Sequence, residues 1–171
     1  MKGFVHVYTG NGKGKTTSAV GLAIRASGHK KRVFIAQFMK GVQYGENLYL
    51  ANSSHIDIEQ FGWDKCISKD EVNEAHRKIT EEGILKCREI MASRRYDVMI
   101  LDEVLIAIWF GLISENKVLD FIENKPEELE LILTGRHATD SIVEKADLVT
   151  EMNSIKHYYD KGITSRQGID C

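Results

Sequence analysis

Apolar positions along the chain fall into short β-prone runs that alternate with longer stretches of helical period. Residues 4–8 (FVHVY) open the series, and turn residues follow. Over 15–27, Val20, Leu22, Ala23, Ile24 and Ala26 make one apolar face, and Gly28 stands where such a helix stops. Residues 32–38 (RVFIAQF) read as the next strand, whereas 39–51 hold two glycines and no clean period, which predicts a loop or a short helix. In 55–61 (HIDIEQF), Ile56 and Ile58 alternate with a more polar set, the mark of an edge or half-buried strand.

Ser68-Lys69-Asp70-Glu71 is a capping-box pattern and predicts a long helix from there to about Ser93. Residues 97–101 (DVMIL) form a continuous apolar run that ends at Asp102-Glu103, as a buried parallel strand does. Helices are expected around 104–111 and 115–123, and Pro126, the only proline, marks a turn. A further core strand, 130–134 (ELILT), ends at Gly135-Arg136; a short helix near 139–145 leads into strand 147–152 (DLVTEM), and 153–171 is polar and punctuated by glycine. Strands alternating with helices predict an α/β fold of three layers, with a mostly parallel central sheet and helices on both faces, formed by 1–171 as a single domain. Ligands of such sheets bind outside the carboxyl ends of the strands. Residues 9–16, Asp102-Glu103 and 134–136 would share that edge.

Composition narrows the setting. With 171 residues, 43% of them hydrophobic and 28% charged, the chain can bury a core without disulfides or a structural metal. The net charge of −2 and the lack of a basic–aromatic stripe argue against a nucleic-acid partner. Cys66, Cys87 and Cys171 are odd in number, far apart and without zinc spacing, so reduced thiols in a cytosolic protein are expected. No apolar run approaches the roughly 20 residues that span a bilayer, and the N-terminus enters a strand with no signal-peptide layout. The expectation is a soluble, cytoplasmic protein with no membrane partner.

The candidate chemistry begins at Thr9-Gly10-Asn11-Gly12-Lys13-Gly14-Lys15-Thr16, which follows a strand and opens a helix. It fits the phosphate-loop pattern G-x-x-x-x-G-K-[ST] except that Thr9 stands for the first glycine. Glycines let the backbone bend until several N–H groups converge on phosphate oxygens, and the helix N-terminus adds favourable partial charge. Lys15 would bridge phosphates, Thr16 would ligate Mg²⁺, and Thr17 is a second hydroxyl in reach. A glycine-rich turn is the plainer alternative, but it does not need GKTT at a helix start. Asp102-Glu103 reads as the acid pair that holds Mg²⁺ or orients a water, or else as a pair that caps the next helix. On residues alone, the site suits hydrolysis, phosphoryl transfer or any reaction that expels phosphate.

The series GNGKGKTTSAVGLAIRASGHKKRV, QFMKG, LDEV, LTGRHA, ADLVTEM and KHYYDKGI..RQGID, spanning roughly residues 3–170, resembles the P-loop family of ATP:corrinoid adenosyltransferases. That resemblance implies transfer of the 5′-deoxyadenosyl group of ATP to cobalt(I) of a corrinoid, with triphosphate leaving. It also implies Mg²⁺ or Mn²⁺, a homodimer, and an electron donor such as a reduced flavoprotein. ATP would lie reversed in the loop, which accommodates Thr9. Lys15, Glu103 and Arg136 become catalytic candidates, with Lys13 as further positive charge or a solvated loop lysine. Phe61 and Trp63, around Gly62, resemble an aromatic pair that covers the lower face of the corrin; core packing is the ordinary alternative. Gln37 and Lys40 fall in a nucleotide or corrinoid contact region with Glu46 just beyond, and His157 either lines the site or is structural. A kinase or ATPase, and an ATP-switched corrinoid carrier without turnover, are the competing readings.

Overall fold

The computed structural model describes residues 2–170. Its elements in chain order are β1 (Val5–Thr9), α1 (Lys15–Gly28), β2 (Val33–Phe38), α2 (Gly45–Leu50), β3 (Ile56–Phe61), α3 (Glu74–Ala92), β4 (Val98–Asp102), α4 (Val104–Trp109), α5 (Glu115–Asn124), β5 (Glu130–Thr134), α6 (Asp140–Lys145) and β6 (Leu148–Glu151). Single 3₁₀ turns lie at Lys69–Glu71 and Tyr158–Lys161. The strands form one sheet in the order β3-β2-β4-β5-β1-β6, with every adjacent pair parallel. The α/β expectation holds, and the sheet is wholly parallel.

Side-chain alternation sorts the core into two layers. Val33 and Ile35 of β2, Val98 and Ile100 of β4 and Ile132 of β5 pack with Ala19, Ala23 and Ala26 of α1 and Leu50 of α2. The intervening residues, among them Phe34, Phe38, Met99, Leu101, Leu131 and Leu133, pack with α3, α4, α5 and α6. Alanines on the inner face of α1 let its axis lie close to the sheet. The phosphate-loop helix is thereby brought down beside the strand ends.

Two boundaries differ from the sequence expectation. The Ser68–Glu71 box does form, with Ser68 N–H donating to Glu71 Oε2 at 2.6 Å, but it closes only a 3₁₀ turn. Val72 is extended, and the long helix starts anew at Glu74, where Asn73 Oδ1 accepts the His76 N–H at 3.1 Å. Asparagine is among the best N-cap residues, so α3 begins where its own cap is satisfied. Likewise α1 runs through Gly28, and the left-handed turn after it is made by Lys30 (φ 61°).

On α3, a side chain at Gly83 would come within 2.6 Å of the Phe61 ring and 2.9 Å of Phe38. Gly83→Ala is therefore expected to lower stability by about 1–3 kcal/mol, the usual cost of overpacking. Urea unfolding with an unchanged slope would show it; an unchanged midpoint would mean that Phe61 moves freely.

Candidate functional site at the carboxyl edge of the sheet

The alternation that builds the α1-side core also places polar side chains at its upper end. Asp102 continues the Val98–Ile100 row, Gln37 the Val33–Ile35 row and Thr134 the row of Ile132, so all three face α1. Each is buried, Asp102 with 1% of its surface exposed. A buried carboxylate is costly unless fully compensated, and here it is surrounded by donors. Asp102 Oδ1 accepts from Thr134 Oγ1 at 2.6 Å and from Thr16 Oγ1 at 2.9 Å. Its Oδ2 accepts from Lys40 Nζ at 2.8 Å, with Gln37 Nε2 at 3.4 Å.

Gln37 is itself held in a network. Its Oε1 accepts from Asn47 Nδ2 at 2.8 Å and Gln60 Nε2 at 3.3 Å, and its Nε2 donates to Glu46 at 3.2 Å. The expected contact between Gln37 and a corrinoid is corrected accordingly: this side chain has no exposed surface and orients Asp102 and Glu46 instead. Lys40 is likewise engaged at the acid rather than at an open face. Burial works against its ammonium, but Asp102, Glu103 and Glu46 outweigh that and hold its pKa above the ordinary lysine value.

The phosphate loop owes its shape to close approach. Gly10 (φ 95°) and Gly12 lie against β6's end, where an added Cβ would meet the Met152 carbonyl oxygen at 2.5 and 2.6 Å. Gly12 N–H donates to that same oxygen. Thr9 fits in place of glycine because it ends β1 in register with Glu151, and its Oγ1 accepts the Ala138 N–H at 3.3 Å. Lys15 is folded back, donating to the Gly10 and Gly12 carbonyls at 2.8 Å each. Burial pushes its pKa down, with the acids Glu103 and Asp102 acting the other way.

A cavity of ≈ 290 Å³ opens over this loop, lined by Lys15, Thr16 and Thr17 with Glu103, Arg136 and His157. Arg136 reaches it from the end of β5, as expected. His157 borders this cavity, and its Nδ1 accepts the Tyr159 N–H at 3.1 Å. Lys13 lines the same cavity and has a partner in the tail. It donates to the Ile169 carbonyl at 2.7 Å and pairs with Asp170, which also accepts from Tyr158 and Arg166. Asp170 and Tyr158 went unassigned in the sequence because only the folded tail brings them over the loop. Thr134 was equally silent, being an ordinary strand-end threonine until Asp102 is placed beside it.

Glu103 sits in the left-handed region (φ 61°), its N–H donating to Thr134 Oγ1 at 3.0 Å. It borders both the loop cavity and a neighbouring one of ≈ 570 Å³ lined by Thr16, Lys40, Tyr44 and Glu46. Burial raises its pKa first, and the adjacent Asp102 raises it further.

The aromatic pair lies four strand steps from the loop strand, about 19 Å at about 4.8 Å per step in the observed order. Both rings are partly buried against the core. Phe61 packs 5.9 Å from Phe38, and Trp63 lies 4.2 Å from His76. Gly62 is required by crowding rather than freedom: a Cβ there would meet the Lys40 nitrogen at 2.2 Å. Lys69 sits 4.5 Å over Trp109, whose ring stacks on His137 beside Arg136. The aromatic segment and the Arg136 turn are thus physically joined.

Thr16, Asp102 and Glu103 suit Mg²⁺, which binds through one or two carboxylates, a hydroxyl and substrate phosphates rather than a full protein cage. The chain itself tests the fit, because an ammonium already lies against Asp102 Oδ2 and 3.4 Å from Thr16 Oγ1. Among the described residues no cluster of three His, Cys, Asp or Glu forms a metal cage. No helix among them is long and apolar enough to cross a membrane.

Glycine loop, helix start, strand-end acid and wholly parallel sheet define a nucleotide-phosphate-binding α/β protein of the P-loop type. A model of the family described as ATP:corrinoid adenosyltransferase BtuR/CobO/CobP matches residues 1–171. The corrinoid adenosyltransferases of Escherichia coli, Pseudomonas aeruginosa and a Sinorhizobium species are 31%, 32% and 33% identical. Each alignment covers 99% of this chain and 86%, 84% and 80% of the respective relative. The chain belongs to this transferase family.

Because Glu103's pKa is raised by folding, its ionised form costs stability. That cost is absent below the ordinary glutamate value and grows as pH rises through it toward the folded value. Glu103→Gln is expected to raise Tm at neutral pH, by about 2–4 °C for each kcal/mol relieved, and to lose that advantage near pH 4. A Tm below that of the parent at pH 7 would contradict the buried, like-charge environment.

Proposed function

We propose that this chain transfers the 5′-deoxyadenosyl group of ATP to cobalt(I) of a corrinoid and releases triphosphate, in adenosylcobalamin synthesis or salvage. The observation that carries the reading is the loop cavity, where Lys15, Thr16, Glu103 and Arg136 converge in a chain matched by the adenosyltransferase family along its length. The cobalt(I) electron pair forms the Co–C5′ bond; the C5′–O bond breaks and its pair leaves on triphosphate. No side chain has to remove a proton to activate this nucleophile.

The chain's task is to hold the leaving group and aim the carbon. Loop N–H groups and Arg136 face the phosphates, and Lys15, released from the Gly10 and Gly12 carbonyls, adds a buried positive charge. Thr16, Asp102 and Glu103 would hold Mg²⁺ or Mn²⁺, which would supply Lewis-acid neutralisation of phosphate charge. Phe61 and Trp63 exclude water from one face of the macrocycle, which favours reduction to cobalt(I), and hold cobalt in line with C5′. Asp102 is positioned by Gln37 and Thr134. The reading carries with it a homodimer and a reduced flavoprotein or similar donor, drawn from the family resemblance, and a single domain in a cytoplasmic setting, expected from the element pattern and the thiol content.

The direct test is anaerobic mixing with ATP, Mg²⁺ and chemically reduced cobalamin. A light-sensitive alkylcobalamin spectrum with one triphosphate per turnover is expected; ADP and phosphate with unalkylated cobalt would show an ordinary ATPase or kinase. ATP and corrinoid binding without either product would show a carrier. Lys15→Ala is expected to lower turnover by about 100-fold or more, as loss of a preorganised charge does, with its circular dichroism retained. Phe61→Ala and Trp63→Ala should impair reactions begun from cobalt(II) more than those given cobalt(I). Equal losses would return both rings to a packing role.

A further inference from the structure

Lys40 presents a charge inside the site with two sets of partners. Its Nζ lies 2.8 Å from Asp102 Oδ2 and 3.4 Å from Thr16 Oγ1, between two of the groups suited to a divalent metal. On its other side are Glu46 Oε1 at 4.0 Å and the Tyr44 ring, with 5.3 Å from Nζ to the centroid. The side chain is 15% exposed, and the exposed part borders the ≈ 570 Å³ cavity that also holds Glu46 and Glu103.

The stem emerges from a fixed backbone. Met39 N–H donates to the Phe61 carbonyl at 3.0 Å, and Gly62 packs directly on the Lys40 nitrogen. Four flexible methylenes beyond that point let the ammonium change partners without moving the chain. Glu46 is kept in place for it by Gln37 Nε2 at 3.2 Å.

We propose that Lys40 is the site's internal cation: it occupies the Thr16–Asp102 position and yields it to the divalent metal by swinging to Glu46 and Tyr44. A divalent metal and an ammonium on the same Asp102 oxygen repel each other at contact distance, so metal entry favours the exchange. The buried acid keeps a counter-charge throughout, which offsets the cost of enclosing a carboxylate. After the exchange the ammonium borders the larger cavity beside Glu46. The proposal rests on the metal assignment made above for Thr16 and Asp102.

The test is Mn²⁺ binding to the full chain, followed by electron paramagnetic resonance with and without inorganic tripolyphosphate, and needs no turnover. Lys40→Met, which keeps the stem and removes the charge, is expected to tighten Mn²⁺ by about tenfold or more, the worth of a displaced charge-assisted hydrogen bond. Without tripolyphosphate, Lys13→Met, whose ammonium is held by Asp170, should leave the Mn²⁺ affinity nearly unchanged and so exclude a general charge effect. Glu46→Gln retains the hydrogen bond from Gln37 but removes the second station's charge, and is expected to weaken Mn²⁺ several-fold. That variant decides the matter if Lys40→Met fails to fold. Unchanged affinity in Lys40→Met or in Glu46→Gln, or equal tightening in Lys13→Met, overturns the exchange. Mn²⁺ uptake by the parent that Asp102→Asn does not reduce, or no uptake, would instead remove the metal assignment and the exchange with it.

Discussion

The buried carboxylate of Asp102 is the constraint on which the site depends. A charge so enclosed survives only where its oxygens are occupied by donors, and its donors come from β2, β5, α1 and the turn after β2. Thr16 joins it to the phosphate loop, Thr134 to the β5 strand end, Gln37 to α2, and Lys40 to the segment that abuts Phe61 and Trp63. Satisfying one acid thus fixes the relative positions of the phosphate cradle and the aromatic pair. Under the proposed function, those are the positions that an in-line transfer between two large substrates needs.

Close backbone approach does the rest. Gly10 and Gly12 pack on Met152, while Gly41 and Gly62 let the turn after β2 run directly against the turn after β3. Side chains larger than hydrogen at these points would push one strand end away from its neighbour. The loop cavity and the aromatic segment would then separate even if every polar residue stayed. The stack of Lys69, Trp109 and His137 closes the circuit on the opposite side of the sheet edge.

Much of this was legible in the sequence because it is local. The GKTT loop, the DVMIL run ending in Asp102-Glu103 and the strand–helix alternation all write their chemistry into adjacent residues, and the six strands form within a residue or so of the expected places. The restart of α3 at Asn73 was not legible, since Ser68-x-x-Glu71 and Asn73 both satisfy capping rules and only the extended Val72 decides between them. Gln37 was misplaced for a related reason. The family resemblance put it in a nucleotide or corrinoid contact region, whereas strand alternation turns it inward toward Asp102. The parity of Val33, Ile35 and Gln37 contained that answer. Asp170 and Tyr158 stand in the KHYYDKGI..RQGID segment that carries the resemblance, but no role followed from it, because their partner Lys13 lies more than 140 residues earlier.

The site pairs its own charges. Asp102 is matched by Lys40, Lys13 by Asp170, and Lys15 by two carbonyl oxygens of its own loop. Under the proposed function these partners are the groups that a metal and phosphate oxygens would displace: an ammonium gives way to a cation, a carboxylate and carbonyls to phosphate. Pairing of this kind holds the three side chains at the sheet edge in defined places. Binding, on that reading, exchanges one set of partners for another rather than creating pairs from hydrated ions. A triphosphate carries more charge and more acceptor oxygens than the carboxylate and carbonyls it would displace, and that difference favours the exchange.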